Sequence, residues 1–300
     1  MQSWRGWTLL LTLFVAGCKP PQAFEVKGVV QEVTPGSKQV RIAHETIPGY
    51  MEAMTMSFDV RDPRELAGLQ PGDSVAFRML VTKDEGWIER VRKLGKATNA
   101  VPVMAAVSET FRRVREVDPL NVGDLVPPYH FTNELGQAVS LEGFRGQAMA
   151  ITFLFTRCPF PTFCPRMTSN FEQAQKKLLA MSGGPTNWHL LTVTFDPQYD
   201  TPGVLKSYAA NHGYDPRHWN YLTGDLIEIT ALTEQFGLMF WRPDPKEVTG
   251  ISHNLRTAVL DTRGRVQRIL KENEWQVDDL VAELVKAAQV PPEPATSVSR

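Results

Sequence analysis

Residues 149–165 read MAITFLFTRCPFPTFCP. Met149 to Phe155 is an almost wholly apolar run of strand length, as expected of a strand covered on both faces. Cys158 and Cys164 then bracket five residues, and helical spacing follows over about Met167 to Met181, with Phe171, Ala174, Leu178 and Leu179 on its apolar side. A buried strand, a cysteine loop and a helix in that order point to an α/β fold. Downstream the alternation continues with a strand at Leu190 to Phe195 and a helix near Val204 to Asn211. A hairpin around Asp261 and Gly264 and a closing helix carrying Val277, Leu280, Val281, Leu284 and Ala288 complete it.

Upstream the period changes to two. Val40, Ile42 and His44 share one parity, as do Met54, Met56, Phe58 and Val60, and as do Val75, Phe77, Met79 and Val81. Turns are marked by Pro35-Gly36 and Pro71-Gly72-Asp73. Residues 24–94 therefore read as a small all-β barrel and 121–290 as the α/β domain. Between them, 95–120 reads as a linker with one short charged helix over 107–117, reaching about 28 Å as a flexible coil. Residues 291–300 read as a disordered tail. Three hundred residues with 42% apolar and 22% charged composition suffice for two cores. With 32 basic against 33 acidic residues and no long run of either sign, nothing draws the chain to nucleic acid.

Arg5, the apolar run Trp7 to Val15 and the small residues ahead of Cys18 form a secretory signal over 1–17. Val15-Ala16-Gly17-Cys18 resembles a bacterial lipobox, which implies lipidation at Cys18 and an extracytoplasmic protein anchored to the membrane, facing the periplasm in a two-membrane cell. Of three cysteines, only Cys158 and Cys164 then remain. A bridge across so short a loop would constrain little of the unfolded chain, so a reactive or metal-binding pair is favoured over a structural disulfide. Cys164 precedes a helix, whose N-terminal N–H groups are expected to lower its thiol pKa, while Pro159, Pro161 and Pro165 stiffen the loop. The pair alone does not separate redox chemistry from metal binding.

Thr156-Arg157-Cys158-Pro159 through Cys164-Pro165, with Phe195-Asp196-Pro197, Asp200-Thr201-Pro202 and Ser252-His253, resembles the SCO/SenC family over about 121–290. Gly123-Asp124, Pro127, Gly136, Leu141 and Gly146 fit the same pattern. The resemblance implies a thioredoxin-like fold binding copper, as Cu(I) or Cu(II), through Cys158, Cys164 and His253. The family loop has three residues between its cysteines, where this one has five. Asp196 is a candidate for supporting the site from behind its ligands, or equally a turn initiator. His130, His189, His212 and His218 carry no motif and are assigned ordinary core or surface roles.

Three of ten methionines, Met51, Met54 and Met56, fall within six residues, with His44 across a turn. Thioether and imidazole both suit Cu(I), although a bare Met-x-Met also serves simply to fill an irregular core. The string from His44-Glu45 to Met54-Thr55-Met56 and Phe58 resembles the CusF-like copper-binding domain, an OB-like barrel. That resemblance implies Cu(I) held by His44, Met54 and Met56. Met51 stands where the better-known members carry a capping tryptophan, as a third thioether or a cap.

The combined expectation is a monomeric, lipid-anchored copper protein that captures Cu(I) in the barrel and delivers copper to a cuproprotein, namely the dinuclear copper site of cytochrome c oxidase subunit II. Two alternatives stay open. One is a thiol-disulfide oxidoreductase acting on the oxidase cysteines through Cys158 and Cys164, and the other is copper sequestration for resistance.

Overall fold

The computed structural model describes residues 20–33, 36, 38–51, 53–82, 85–97, 117–242, 251–273 and 275–292. The signal and Cys18, Pro35 of the first turn, most of the 95–120 linker with its 107–117 helix, and residues 293–300 of the tail lie outside the described residues. No helix among the described residues is long and apolar enough to cross a membrane.

The alternating N-terminal segments form one antiparallel sheet from β1 (Gln22–Val33), β2 (Gln39–His44), β3 (Met54–Asp59), β4 (Asp73–Val81) and β5 (Gly86–Lys96), in the order β3-β2-β1-β4-β5. β1 is long enough to pair with two partners: residues 22–29 lie along β4 and residues 28–33 along β2. The two pairings overlap at Gly28, where a Cβ would stand 2.5 Å from Ile42 Cγ2 and 2.6 Å from the Ala43 carbonyl oxygen. Only glycine permits that approach. Bulges between Val30 and Glu32 and along the β4–β5 pair bend the strands further, and Val60 bridges Ile88, bringing the two edges of the sheet together. The parity read from sequence is the buried one: Val40, Ile42, His44, Met56, Phe58, Val60, Val75, Phe77, Met79 and Val81 all point into the core, with Met54 partly covered.

The second sheet comprises β6 (His130–Asn133), β7 (Ala138–Ser140), β8 (Ala148–Leu154), β9 (Trp188–Thr194), β10 (Trp219–Thr223), β13 (Arg256–Leu260) and β14 (Val266–Lys271), in the order β14-β13-β8-β9-β10-β6-β7. A two-stranded pair, β11 (Phe240–Trp241) and β12 (Ser252–His253), lies apart from it. β8, β9 and β10 run parallel, and every residue in them is buried, the pattern of strands sandwiched between helices. The helices are α1 (Cys164–Ala180), α2 (Pro202–Ala210), α3 (Leu226–Gln235) and α4 (Val277–Ala288). The connection β8-α1-β9, then the β13–β14 hairpin and α4 packed beside α1 and β8, is the thioredoxin-like arrangement.

The elements differ from the sequence reading mainly at their starts. α1 begins at Cys164 rather than Met167, because Pro165 occupies the first turn, where its missing N–H costs nothing. α2 likewise begins at Pro202, behind a Thr201 cap whose hydroxyl accepts from Val204 N. Leu179, expected on the apolar side of α1, is exposed, whereas Met167 and Thr168 are buried. The β6–β7 hairpin, β10 and α3 were not read from the sequence.

Candidate metal centres

β8 ends at Leu154, and the chain turns at once, with Cys158 N donating to the Phe155 carbonyl at 3.2 Å. Phe163 N then closes on the Phe160 carbonyl at 3.0 Å, so the five-residue loop is taken up as a compact turn that delivers Cys164 to the first position of α1. β12 brings His253 to the same place. The two sulfurs and one nitrogen of His253 lie within 4.8 Å of one another, with Cys164 Sγ 3.7 Å from His253 Nε2. Ligands bonded to one ion at about 2.0 to 2.3 Å stand roughly 3.5 to 4 Å apart, so only a slight contraction is needed to hold a metal. The longer loop does not separate the cysteines, which are free thiols.

His253 is oriented for the task. Its Nδ1 lies 3.1 Å from the Asn254 carbonyl, so the protonated nitrogen faces the backbone and Nε2 is left with its lone pair toward the sulfurs. Phe155, Phe163 and Phe195 surround the ring at centroid distances of 5.7, 5.4 and 5.0 Å, which keeps water out.

The thiols are unequal, and in the opposite sense to the sequence expectation. Burial is the largest influence on both. For Cys158, which is partly exposed, the hydrogen bond from Cys164 and the neighbouring His253 outweigh burial and hold the thiol well below its ordinary value. Cys164 is fully buried, and burial together with the neighbouring Cys158 thiolate pushes its thiol well above. A single negative charge settles on Cys158, the sulfur that receives the hydrogen bond from Cys164, and the helix terminus does not override that.

Behind the loop, Asp196 touches none of the three ligands. It accepts from Arg157 Nη2 at 2.5 Å and from Arg242 Nη2 at 3.3 Å, so it fixes the residue before Cys158 and not a ligand itself. Arg157 also lies 3.7 Å over the Tyr199 ring. The closer anchor of the loop is Asp200, which accepts from Thr156 N at 3.0 Å, from Thr156 Oγ1 and from Thr194 Oγ1. Sequence reading had quoted Asp200 in a motif without a role. Asp200 sits in the turn between β9 and the Thr201 cap of α2, fully buried, and a buried carboxylate there requires neighbouring hydroxyls and N–H groups to satisfy it.

In the N-terminal sheet His44 stands opposite Met54, and Ile42 opposite Met56, so His44, Met54 and Met56 project on one face. His44 repeats the device of His253: Nδ1 lies 2.7 Å from the Glu45 carbonyl, while Nε2 is buried with no hydrogen-bond partner. A buried ring nitrogen without a partner is costly unless something else uses its lone pair. Burial lowers the pKa of this imidazole, which keeps it neutral and ligand-ready. Met51 is buried beside the same face and lines, with Met56 and Met79, a small cavity closed by Tyr50, Trp87 and the loop residues Phe160, Pro161 and Thr162.

The remaining histidines are otherwise engaged. His189 Nε2 pairs with Asn220 Oδ1 at 2.8 Å, His218 stacks on Trp188, His212 lies beside Glu172 and Tyr208, and His130 is exposed.

The chain matches the SCO1/SenC family model over residues 117–289 and the model of the copper-binding periplasmic protein CusF over residues 23–93. It is 31% identical over 176 residues to the SCO1 protein homolog of Bacillus subtilis, covering 57% of this chain and 86% of that one. Among solved structures it is similar to BsSco, described as a member of the Sco family of cytochrome c oxidase assembly proteins with a disulfide switch. That likeness has 28% identity and a TM-score of 0.48, over 59% of this chain and 99% of the other. It is similar also to copper-bound yeast Sco1, with 22% identity and a TM-score of 0.48, over 57% and 91%. Copper is the metal named by the model that residues 23–93 match. The first match spans more than half of the sequence and includes the strand, the cysteine loop, the helix and His253: the chain belongs to the SCO1/SenC family.

Proposed function

We propose that the chain is an extracytoplasmic, lipid-anchored copper carrier that acts as a monomer. A capture domain over 24–94 takes Cu(I) through His44, Met54 and Met56, with Met51 as a further thioether or a cap. A carrier domain over 121–290 holds copper through Cys158, Cys164 and His253 and passes it to a cuproprotein, namely the dinuclear copper site of cytochrome c oxidase subunit II. The observation that carries this reading is the shared posture of the two histidines. Each ties Nδ1 to the carbonyl of the next residue and turns Nε2 inward, toward two thiols in one case and onto a face carrying two thioethers in the other. Soft sulfur with one imidazole is a donor set chosen for Cu(I).

The test is copper stoichiometry after reconstitution under reducing conditions, on the intact soluble chain and on a Cys158→Ser, Cys164→Ser variant. Two coppers falling to one support the carrier reading. One copper that the serines leave untouched refutes a metal role for the cysteines.

A second reading draws on the inequality of the thiols. A partly exposed thiolate beside a buried protonated thiol is the division of labour of a disulfide reductase. Cys158 would attack one sulfur of the oxidase disulfide, expelling the other as thiolate. Cys164, giving up its proton, would then attack Cys158 Sγ in the mixed disulfide and expel the acceptor's second sulfur, leaving the acceptor as dithiol and the carrier as a Cys158–Cys164 disulfide, two electrons having passed to the acceptor. Metal-free protein reducing such a disulfide stoichiometrically would favour it.

A further inference from the structure

The cysteine loop is not open to solvent on all sides: the barrel sits on it. Tyr50, in the turn that leads into the methionine strand, packs edge-on against Phe160 at a centroid distance of 5.1 Å. From there a row of rings runs through Phe163 at 6.0 Å to the imidazole of His253 at a further 5.4 Å. In the other direction Tyr50 stacks on Phe24 of β1 at 4.5 Å. The small cavity at this junction is walled on one side by Met51 and Met56 of the proposed Cu(I) face and on the other by Phe160, Pro161 and Thr162 of the cysteine loop. Gly86 lies so close to Thr162 that a Cβ there would stand 3.2 Å from its methyl carbon. Two polar contacts flank the apolar patch. Arg166 Nη1, in the first turn of α1, donates to Asp59 Oδ2 at the end of β3 at 2.7 Å, and Arg41 lies 3.9 Å from Glu272.

We infer that the barrel is the cysteine loop's own docking partner and its lid, seated with its methionine face toward the loop, latched by Asp59 and Arg166, and displaced when an acceptor approaches. This rests on the carrier reading for its purpose, since a lid with thioethers on its inner side lets copper reach the cysteines from the barrel while bulk thiols are kept away. It needs no copper to be tested. The apolar contact is confined to a few rings and one glycine, and the latch is a pair about 30% exposed on each side, the kind of ion pair that loosens with salt and reverses with charge. An interface built so is made to open.

The experiment is the rate at which a polymer-tagged maleimide modifies the metal-free, reduced intact chain, with iodoacetamide as the small reference probe. Arg166→Glu, which sets two carboxylates against each other, is expected to raise the maleimide rate about fivefold while changing the iodoacetamide rate far less. Asp59→Arg combined with Arg166→Glu is expected to restore the original rate. An unchanged maleimide rate in Arg166→Glu overturns the lid, and so does a rise that the reversed pair fails to undo, since that marks damage at the start of α1. Should Arg166→Glu fail to fold by circular dichroism, Tyr50→Ala, which removes the ring against Phe160, carries the same expectation of an increase, and its absence carries the same refutation. Copper analysis of these variants separates the two claims: two coppers with unchanged alkylation reject the lid alone, and faster alkylation with no copper at the cysteines rejects the carrier alone.

Discussion

An imidazole binds a metal only through the nitrogen that carries no proton, so a histidine that holds its proton elsewhere is already committed to one face. His44 and His253 both do this through a carbonyl one residue on, and the commitment makes their roles separable. His44→Ala is expected to lose one copper while the thiolate-to-copper absorption of the cysteine site persists, and His253→Ala is expected to weaken that absorption and spare the barrel copper. Loss of both coppers in either variant would merge the two sites into one. His189 makes a contrasting case. Burial between Phe144 and Asn220 lowers its pKa to about 4, opposed by the hydrogen bond to Asn220. The unfolded chain therefore binds a proton from about pH 6.5 downward that the folded chain refuses until about pH 4. Stability from this residue is whole above that window and is lost as pH falls through it, by about 3 kcal/mol in all. Urea unfolding at intervals from pH 7 to pH 4 should show the loss, and His189→Gln should flatten the profile by that share. Without a motif, His189 reads from sequence only as a core or surface residue, and the structure buries it.

A strand or helix could be read where one period dominated its sequence. β8 and β9 were visible as apolar runs, and the three strands of alternating parity in the barrel were visible because one face is buried and the other is not. α3 was hidden for the converse reason. Its sequence LIEITALTEQ mixes β-branched residues with helix formers, six of its ten positions are buried, and the helix is set by Asp225, whose carboxylate accepts from Ile227 N, and not by a clear apolar stripe. The candidate donor residues were readable because each lies in a compact string or motif of the sequence. The anchoring by Asp200 was not, because Thr156, just beyond the end of β8, and Thr194, at the end of β9, are brought to it only by the fold. Gly28 belongs to the same class of hidden determinant, since nothing around it in sequence marks the close approach of β1 to β2. Gly28→Val places a side chain against Ile42 and the Ala43 carbonyl and is expected to destabilise the barrel by about 1–3 kcal/mol. Because Ile42 and Ala43 lead directly to His44, the variant should also lose the barrel copper before the cysteine copper. Differential scanning calorimetry with metal analysis at increasing temperature would show that order, and a Gly28→Val chain as stable as the parent would mean that β1 shifts freely.

At the scale of the whole molecule the two centres share one chain, and that changes the kinetics of any exchange between them. Two sites on separate molecules meet at a rate proportional to their concentration, whereas tethered sites meet at an effective concentration of about a millimolar whatever the dilution. The seating of Tyr50 on Phe160, with Met51 and Met56 facing the loop, shortens the remaining path to a turn of the chain and a row of rings. If copper moves from thioether to thiolate, the gain in softness and charge of the ligands supplies the direction, since two thiolate-capable sulfurs bind Cu(I) more strongly than two thioethers. One equivalent of Cu(I) offered to the metal-free chain through a bulky chelate should therefore be captured first at the barrel, entering past the partly exposed Met54, and reach the cysteines in a first-order step. Following the growth of thiolate-to-copper absorption by stopped flow, the rate constant of that second phase should stay constant over about a hundredfold dilution of protein and fall in Met56→Leu, which keeps the core filled but removes a donor. A rate that scales with protein concentration would place the exchange between molecules, and a Met56→Leu chain loading its cysteines as fast as the parent would take the barrel off the route.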